Sequence, residues 1–272
     1  MPRPQHAMEI FRLLDKSNCR ECGEKTCLAF AGAVYQGRRR LDECPHLDAR
    51  TVARYTDAEE GPASNEAPRE ALLDQLKSEV AGLDLAAAAA RTGGRLVKGR
   101  LTLKILGKDF AVDAAGRLYA DIHVNPWVAG PFLAHLLYGE GRAATGNWVP
   151  FRELAGGRER APLFAKRCEE PMQRLAETYP DFFDDIVHMF SGRRVDPRFE
   201  ADISVVLDPL PRVPLMICYW KPAEGMDSSL NLFFDETATA NLDIGAIFSL
   251  TAGLAQMFTR LALRHGFVEE AG

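Results

Sequence analysis

Four cysteines near the N-terminus are the residues of this chain whose types and spacing could do chemistry. Cys19, Cys22 and Cys27 lie on one short segment, and Cys44 follows alone; we call the four the cysteine quartet. Reduced thiolates that converge on one point select zinc, copper(I) or an iron–sulfur cluster. Zinc ligands usually come in two close pairs, whereas three ligands on one loop and a remote fourth are typical of iron–sulfur ligation. The spacing favours an iron–sulfur cluster, with a zinc site or disulfides as alternatives.

The neighbours of the quartet agree with a cluster. Gly23 removes a side chain where the backbone must pass close to inorganic sulfide, and its amide is expected to donate to a cluster sulfur. Cys27 lies at the start of a predicted helix, whose dipole favours a thiolate. His46 is an alternative ligand, but we expect a surface position near the cluster, because four cysteines already saturate a cubane.

Short helices are predicted to position the quartet. The residues from Met8 to Leu14 have helical spacing, and Thr26 can cap a second helix over 27–40. Asp48 is expected to cap a short helix that carries Val52 and Tyr55. Residues 57–70 are polar, acidic and interrupted by glycine and proline, which is typical of a linker. The sequence therefore predicts a four-cysteine domain over 1–56, a linker over 57–70 and a second domain over 71–272.

The second domain is predicted to be α+β. Helices and short antiparallel strands are mixed without a regular βαβ rhythm. A β-meander is expected over 101–119, and 148–154 reads as an aromatic connector. The remaining predicted elements are helices over 68–82, 131–139, 163–189 (interrupted at Pro180) and 244–264, the last capped by Asp243, and strands over 203–207, 213–220 and 230–234.

Single cysteine, histidine and aspartate residues of this domain are explained by structural roles. Cys218 lies in an apolar strand and is expected in the core, whereas Cys168 lies among charges and is predicted to be a spare exposed thiol. His135 is predicted to pack within a helix, and Asp235 to cap one. No phosphate loop, dinucleotide fingerprint, nucleophile elbow or zinc-protease helix is present. The sequence therefore offers no catalytic motif beyond the proposed redox site.

Bulk composition limits the partners. The formal charge is −5, which disfavours nucleic acid, and 47% of the residues are hydrophobic, which is enough for a sizeable core. No long uncharged apolar stretch predicts a membrane span, and the first residues lack the apolar core of a signal peptide. We therefore predict a cytoplasmic protein, in which clustered cysteines bind metal more often than they form disulfides.

The N-terminal segment also resembles a known family. Residues 14–31, LDKSNCRECGEKTCLAFA, and residues 41–45, LDECP, resemble the iron–sulfur module of the corrinoid iron–sulfur protein large subunit and of the Rnf complex B subunit. The resemblance includes Asn18, Gly23, Thr26 and Phe30. It implies a [4Fe–4S] cluster held by Cys19, Cys22, Cys27 and Cys44.

The second domain is similar to a different family. Its segments GNWVPFRELAGG at 146–157, LPRVPL at 210–215 and LFFDETA at 232–238 resemble a family of anaerobe proteins that fuses this module to a domain of unknown function. That resemblance implies no activity. The resemblance of the cysteine module implies low-potential electron transfer with a redox partner protein, a corrinoid protein being one candidate. The alternatives are an iron–sulfur sensor or binding module, and a zinc-stabilised interaction protein.

Overall fold

The structure, a computed structural model, describes residues 7–35, 39–48, 51–52, 66–120, 124–179, 181–223 and 225–264. The chain divides into two compact units, Met1–Ala71 and Leu72–Gly272. Most of the predicted linker, and Tyr55 of the predicted short helix, lie outside the described residues. The domain boundaries at residues 56 and 71 therefore stay predictions.

The N-terminal unit is built from α1 (Ala7–Leu13), α2 (Cys27–Tyr35) and a 3₁₀ turn (Leu41–Glu43). The predicted cap of α2 is confirmed, because Thr26 Oγ1 accepts the N–H of Ala29 at 3.0 Å. The predicted helix end at residue 40 is wrong. The backbone N–H of Arg40 donates to Glu43 Oε1 at 2.8 Å, so Arg40 begins the 3₁₀ turn instead of ending the helix.

Sequence patterns located most helices of the second unit. The helices are α3 (Glu66–Val80), α4 (Leu85–Thr92), α5 (Pro126–Tyr138), α6 (Ala161–Phe164), α7 (Glu170–Thr178), α8 (Phe182–Met189), α9 (Ala238–Asn241) and α10 (Ile244–Arg264). A π-helical turn, Ala165–Glu169, joins α6 to α7. Asp243 Oδ1 accepts the N–H groups of Gly245 and Ala246 at 2.9 and 3.0 Å, which confirms the predicted cap of α10.

Two antiparallel sheets complete this unit, which confirms the α+β class. The first sheet has the order β1 (Arg95–Val97), β2 (Arg100–Ile105), β3 (Lys108–Asp113), β4 (Leu118–Ala120). The second has the order β5 (Trp148–Pro150), β9 (Ser229–Asp235), β8 (Val213–Trp220), β7 (Ile203–Leu210), β6 (Arg193–Arg194). The meander and the three longer predicted strands are confirmed.

Several assignments in this unit differ from the sequence prediction. α5 begins at Pro126 and contains Pro131, which had been predicted as its start. Trp148 belongs to an edge strand paired with Asp235, where a connector was predicted. A strand of three residues has too few side chains to show a period, and an edge position tolerates Pro150 because one side of the strand forms no ladder. For the same reason β1 and β6 were not predicted.

The core of the second unit lies between the helices and the inner faces of both sheets. α10 contributes a buried row that includes Ile247, Leu250, Leu254 and Phe258. Within the described residues, one stretch, Ile244–Ala262, has the length and apolar composition of a membrane-crossing helix. Burial of one of its faces in this core is what the central helix of a folded domain also shows. The absence of membrane insertion and the cytoplasmic location stay predictions.

Candidate metal centre

The fold of the N-terminal unit places three of the quartet side chains in one apolar cluster. Cys27 and Cys44 are buried, each 6% exposed, together with Ile10, Leu14, Phe30 and Leu41. Cys22 packs against this cluster and is partly buried, whereas Cys19 is exposed. Cys27 is the first residue of α2, and Cys44 follows the 3₁₀ turn, so these two elements set the position of the buried pair.

Asn18 makes two contacts with Cys27. Its backbone N–H donates to Cys27 Sγ at 3.4 Å, and its side-chain Oδ1 accepts the N–H of Cys27 at 2.8 Å. Asn18 adopts a φ of 54°, a left-handed conformation that asparagine tolerates better than most residues. The first contact places an amide dipole on a sulfur, and the second supplies an acceptor for the N-terminus of α2. No separate role for Asn18 was predicted from the sequence; the signal that could have identified one is a polar residue placed within a cysteine loop.

Cys44 shows the electrostatic consequence of bringing thiols together. Burial raises the pKa of the Cys44 thiol, and the nearby Cys22, Asp15 and Cys27 raise it further. A hydrogen bond from the backbone of His46 acts in the opposite direction. Protein groups alone therefore disfavour several thiolates at this place, whereas a bound cationic centre reverses that preference, because its ligands are deprotonated.

The exposed end of the quartet carries a polar group of side chains. Cys19 Sγ, a Glu21 carboxylate oxygen and a ring nitrogen of His46 all lie within 4.8 Å of one another. His46 also lies 3.5 Å from Glu21 Oε2 and 3.7 Å from Asp15 Oδ2. As predicted, His46 is a surface residue beside the quartet.

The predicted role of the Gly23 amide differs from its place in the structure. The N–H of Gly23 donates to the carbonyl of Arg20 at 3.0 Å, so it closes a turn. Gly23 has a φ of 81°, and a Cβ there would lie 3.0 Å from a guanidinium nitrogen of Arg39. The positive φ of this turn is what favours glycine, while Asn18 supplies the amide that faces a sulfur.

The donor set of the quartet fits an iron–sulfur cluster. Four thiols, two of them buried, with backbone N–H groups on sulfur, are the environment that iron–sulfur clusters use.

The other candidate residues lie in the second unit, apart from one another. Cys168 is completely buried on the π-helical turn, so the prediction of an exposed thiol is wrong; Lys166 and Arg167 are exposed while the cysteine faces the core. Burial also raises its pKa, which makes it unreactive. Cys218 is buried as predicted, with its Sγ 3.6 Å from Ser204 Oγ. His135 is buried and contacts the carbonyl of Asn241 at 2.8 Å.

Asp235 is a buried carboxylate that organises a turn. Its Oδ2 accepts the N–H of Gly146 at 2.7 Å, and its Oδ1 accepts the N–H and the hydroxyl of Thr237 at 3.1 and 2.7 Å. Burial raises the pKa of Asp235, but these hydrogen bonds outweigh it and leave the pKa lowered. The prediction that Asp235 caps a helix is wrong, because Thr237 is the N-cap residue of α9. Asp235 instead joins the end of β9 to the loop before β5 and to the turn before α9.

Fold and site together define an iron–sulfur-type cysteine module that precedes an α+β domain. Residues 14–46 match the family described as "Putative Fe-S cluster", and residues 84–257 match the family described as "Domain of unknown function (DUF3786)". The second match covers more than half of the chain, so the chain belongs to the DUF3786 family. No solved structure matches the chain at a significant level.

Curated relatives match the cysteine module alone. The gamma subunit of the acetyl-CoA decarbonylase/synthase complex from Methanocaldococcus jannaschii is 42% identical over 48 residues, which are 18% of this chain and 10% of that protein. The corrinoid/iron-sulfur protein large subunit from Moorella thermoacetica is 48% identical over 44 residues, which are 16% of this chain and 10% of that protein. The chain therefore spans about a tenth of the length of these relatives. Their similarity supports iron–sulfur binding by the N-terminal module.

Proposed function

We propose that this chain binds a [4Fe–4S] cluster through Cys19, Cys22, Cys27 and Cys44 and acts in low-potential electron transfer with a partner protein. The observation that carries the proposal is the buried pair Cys27 and Cys44, each of which accepts a backbone hydrogen bond on sulfur. A thiol that takes part in disulfide exchange or acid–base chemistry must be accessible to its reaction partner. Cys27 and Cys44 instead lie in the apolar interior, with Cys22 packed beside them, and this position suits ligands of a metal centre.

The residues of the module have distinct roles in this proposal. Cys27 and Cys44 would hold the interior side of the cluster, and Cys19 the side that faces solvent. When bound, the cluster supplies one-electron chemistry, with a potential that the hydrogen bonds to sulfur and the exposure of the site adjust. The amides of Asn18 and His46 are the protein groups that do this here. A partner can approach most closely on the Cys19 side.

The partner is inferred from the relatives. Both named relatives are subunits of protein assemblies, and one is named for a corrinoid and an iron–sulfur centre. We propose a redox partner protein, with a corrinoid protein as the first candidate and its reductive maintenance as the task. This step rests on analogy, because the similarity ends at the cysteine module.

Anaerobic purification tests the proposal. We expect a brown protein with about four iron and four sulfide per chain, and an EPR signal after one-electron reduction. A zinc-containing, colourless and folded protein would refute the cluster. Stopped-flow mixing of the reduced protein with an oxidised corrinoid protein tests the second part: second-order reoxidation supports transfer, whereas binding that depends on cluster redox state without transfer would identify a sensor.

A further inference from the structure

The outer face of the first sheet contains a cleft of about 620 Å³ that the cysteine module does not explain. It lies entirely within the second unit. Its volume falls within the range of about 300–1,000 Å³ that small-molecule sites occupy. The cleft arises from the side-chain sizes in one row across the sheet. In this row the strand register places two small residues between two large ones.

That row runs through Arg95, Thr102, Ala111 and Tyr119, which are paired directly across the four strands. Thr102 and Ala111, the two small residues of the row, form the floor of the cleft and are 8% and 7% exposed. Arg95 and Tyr119 rise at the two ends. Apolar side chains, among them Val97, line other parts of the cleft. The cleft therefore has a small floor, an apolar wall and an aromatic end.

Positive charge in this cleft exceeds negative charge. Asp109 binds Arg95 at 3.1 Å and Lys104 at 3.0 Å, so its carboxylate is already engaged. Asp113 is likewise engaged, by Arg117 at 2.8 Å and by the hydroxyl of Tyr119 at 2.9 Å.

Two other cations lining the cleft, Lys98 and Arg100, form no ion pair with any carboxylate among the described residues. Within the part of the chain that the structure describes, no carboxylate neutralises these two charges.

Arg100 is also held in a fixed orientation. Its guanidinium carbon lies 3.5 Å from the centroid of the Tyr119 ring, and the Tyr119 hydroxyl donates to Asp113. Desolvation raises the pKa of Asp113, but its hydrogen bonds outweigh this and bring the pKa to about 2, so the carboxylate stays ionised near neutrality. Stacking fixes the plane of the guanidinium, and none of the described residues accepts a hydrogen bond from its N–H groups. A planar fork of this kind binds carboxylate or phosphate oxygens in pairs.

We infer that this cleft binds a small organic anion, with a carboxylate or phosphate on Arg100 and Lys98 and an apolar body over Thr102 and Ala111. The inference is independent of the proposed electron transfer, because it uses no residue of the cysteine module. It gives the DUF3786 domain a ligand-binding role of its own. Asp113 and Tyr119 act as positioning residues for Arg100.

Isothermal titration of the full chain with benzoate and with inorganic phosphate, at constant ionic strength, tests the inference. Benzoate carries a carboxylate on an apolar ring, and benzamide is its uncharged control. We expect saturable binding of at least one anion at one site per chain, and none of benzamide. Binding of benzoate alone would indicate that the natural ligand carries a carboxylate, and binding of phosphate alone that it carries a phosphate. Binding of both would indicate a site that accepts either anionic group.

Two charge-matched variants locate the site. Arg100→Gln should weaken anion binding about tenfold or more, since hydrogen bonds to a charged group are lost. Lys108→Gln removes the same charge from the same sheet outside the cleft, and should leave affinity within about twofold. Circular dichroism checks that both variants are folded. No saturable binding of either anion, or equal effects of the two variants, would overturn the inference.

Discussion

Replacement of Asn18 tests how the cysteine loop is held. The side chain of Asn18 accepts the N–H of Cys27 at 2.8 Å, while its backbone N–H donates to the Cys27 sulfur. Asn18→Ala removes the first contact, at a cost of about 1 kcal/mol. It also forces alanine to adopt a φ of 54°, which costs roughly 1–2 kcal/mol more. The local opening of the loop should therefore become about 2–3 kcal/mol easier.

Asn18→Gly is the matched control. Glycine adopts a positive φ without steric cost, so this variant loses only the hydrogen bond. The assay measures the rate at which iron is released to an excess of chelator in the absence of oxygen. When the loop closes faster than the chelator removes iron, this rate follows the population of the open loop. We expect release to accelerate roughly 30- to 150-fold in Asn18→Ala and about fivefold in Asn18→Gly. Wild-type release in both variants, or faster release with glycine than with alanine, would refute this account of the loop.

Three further predictions concern the quartet and the second unit. Alanine at any quartet position should lower or change the iron content, whereas Cys168→Ala and Cys218→Ala should keep it, as metal and sulfide analysis can show. Burial lowers the pKa of His135 from 6.5, as do Arg91 and Arg212 nearby, despite backbone hydrogen bonds that raise it. Since the unfolded chain then binds the proton more tightly, stability should be full above about pH 6.5 and fall below it, and His135→Gln should flatten this slope in urea unfolding between pH 5 and 8. Asp235→Asn replaces an acceptor with an amide donor that faces N–H groups, and should reduce the free energy of unfolding by about 3 kcal/mol; a loss below about 0.5 kcal/mol in urea titration would contradict it.

Elements with a long period or a clear cap were predictable from the sequence. α10 has an N-cap and a repeating apolar face. The strands over 213–220 and 229–235 are long enough for their apolar composition to be recognised in the sequence. Short edge strands such as β5 were not predictable, because pairing with a neighbour defines them and three residues carry no period. Cys168 was wrongly predicted to be exposed because its sequence neighbours are charged. On a helical turn, adjacent residues face different directions, so charged neighbours do not determine whether a given residue is buried.

The type and spacing of the quartet cysteines were enough by themselves to indicate an iron–sulfur module, because ligand chemistry is local and three ligands share one loop. Only the tertiary structure decided which sulfurs are buried, that Asn18 and not Gly23 offers its amide to one of them, and that Arg100, which pairs with no carboxylate among the described residues, lines a cleft with Thr102 and Ala111. Each of these depends on which backbone groups and charges are already paired with another part of the chain. Such pairing joins residues distant in sequence, as Asp235 with Gly146 shows, and no local pattern encodes it.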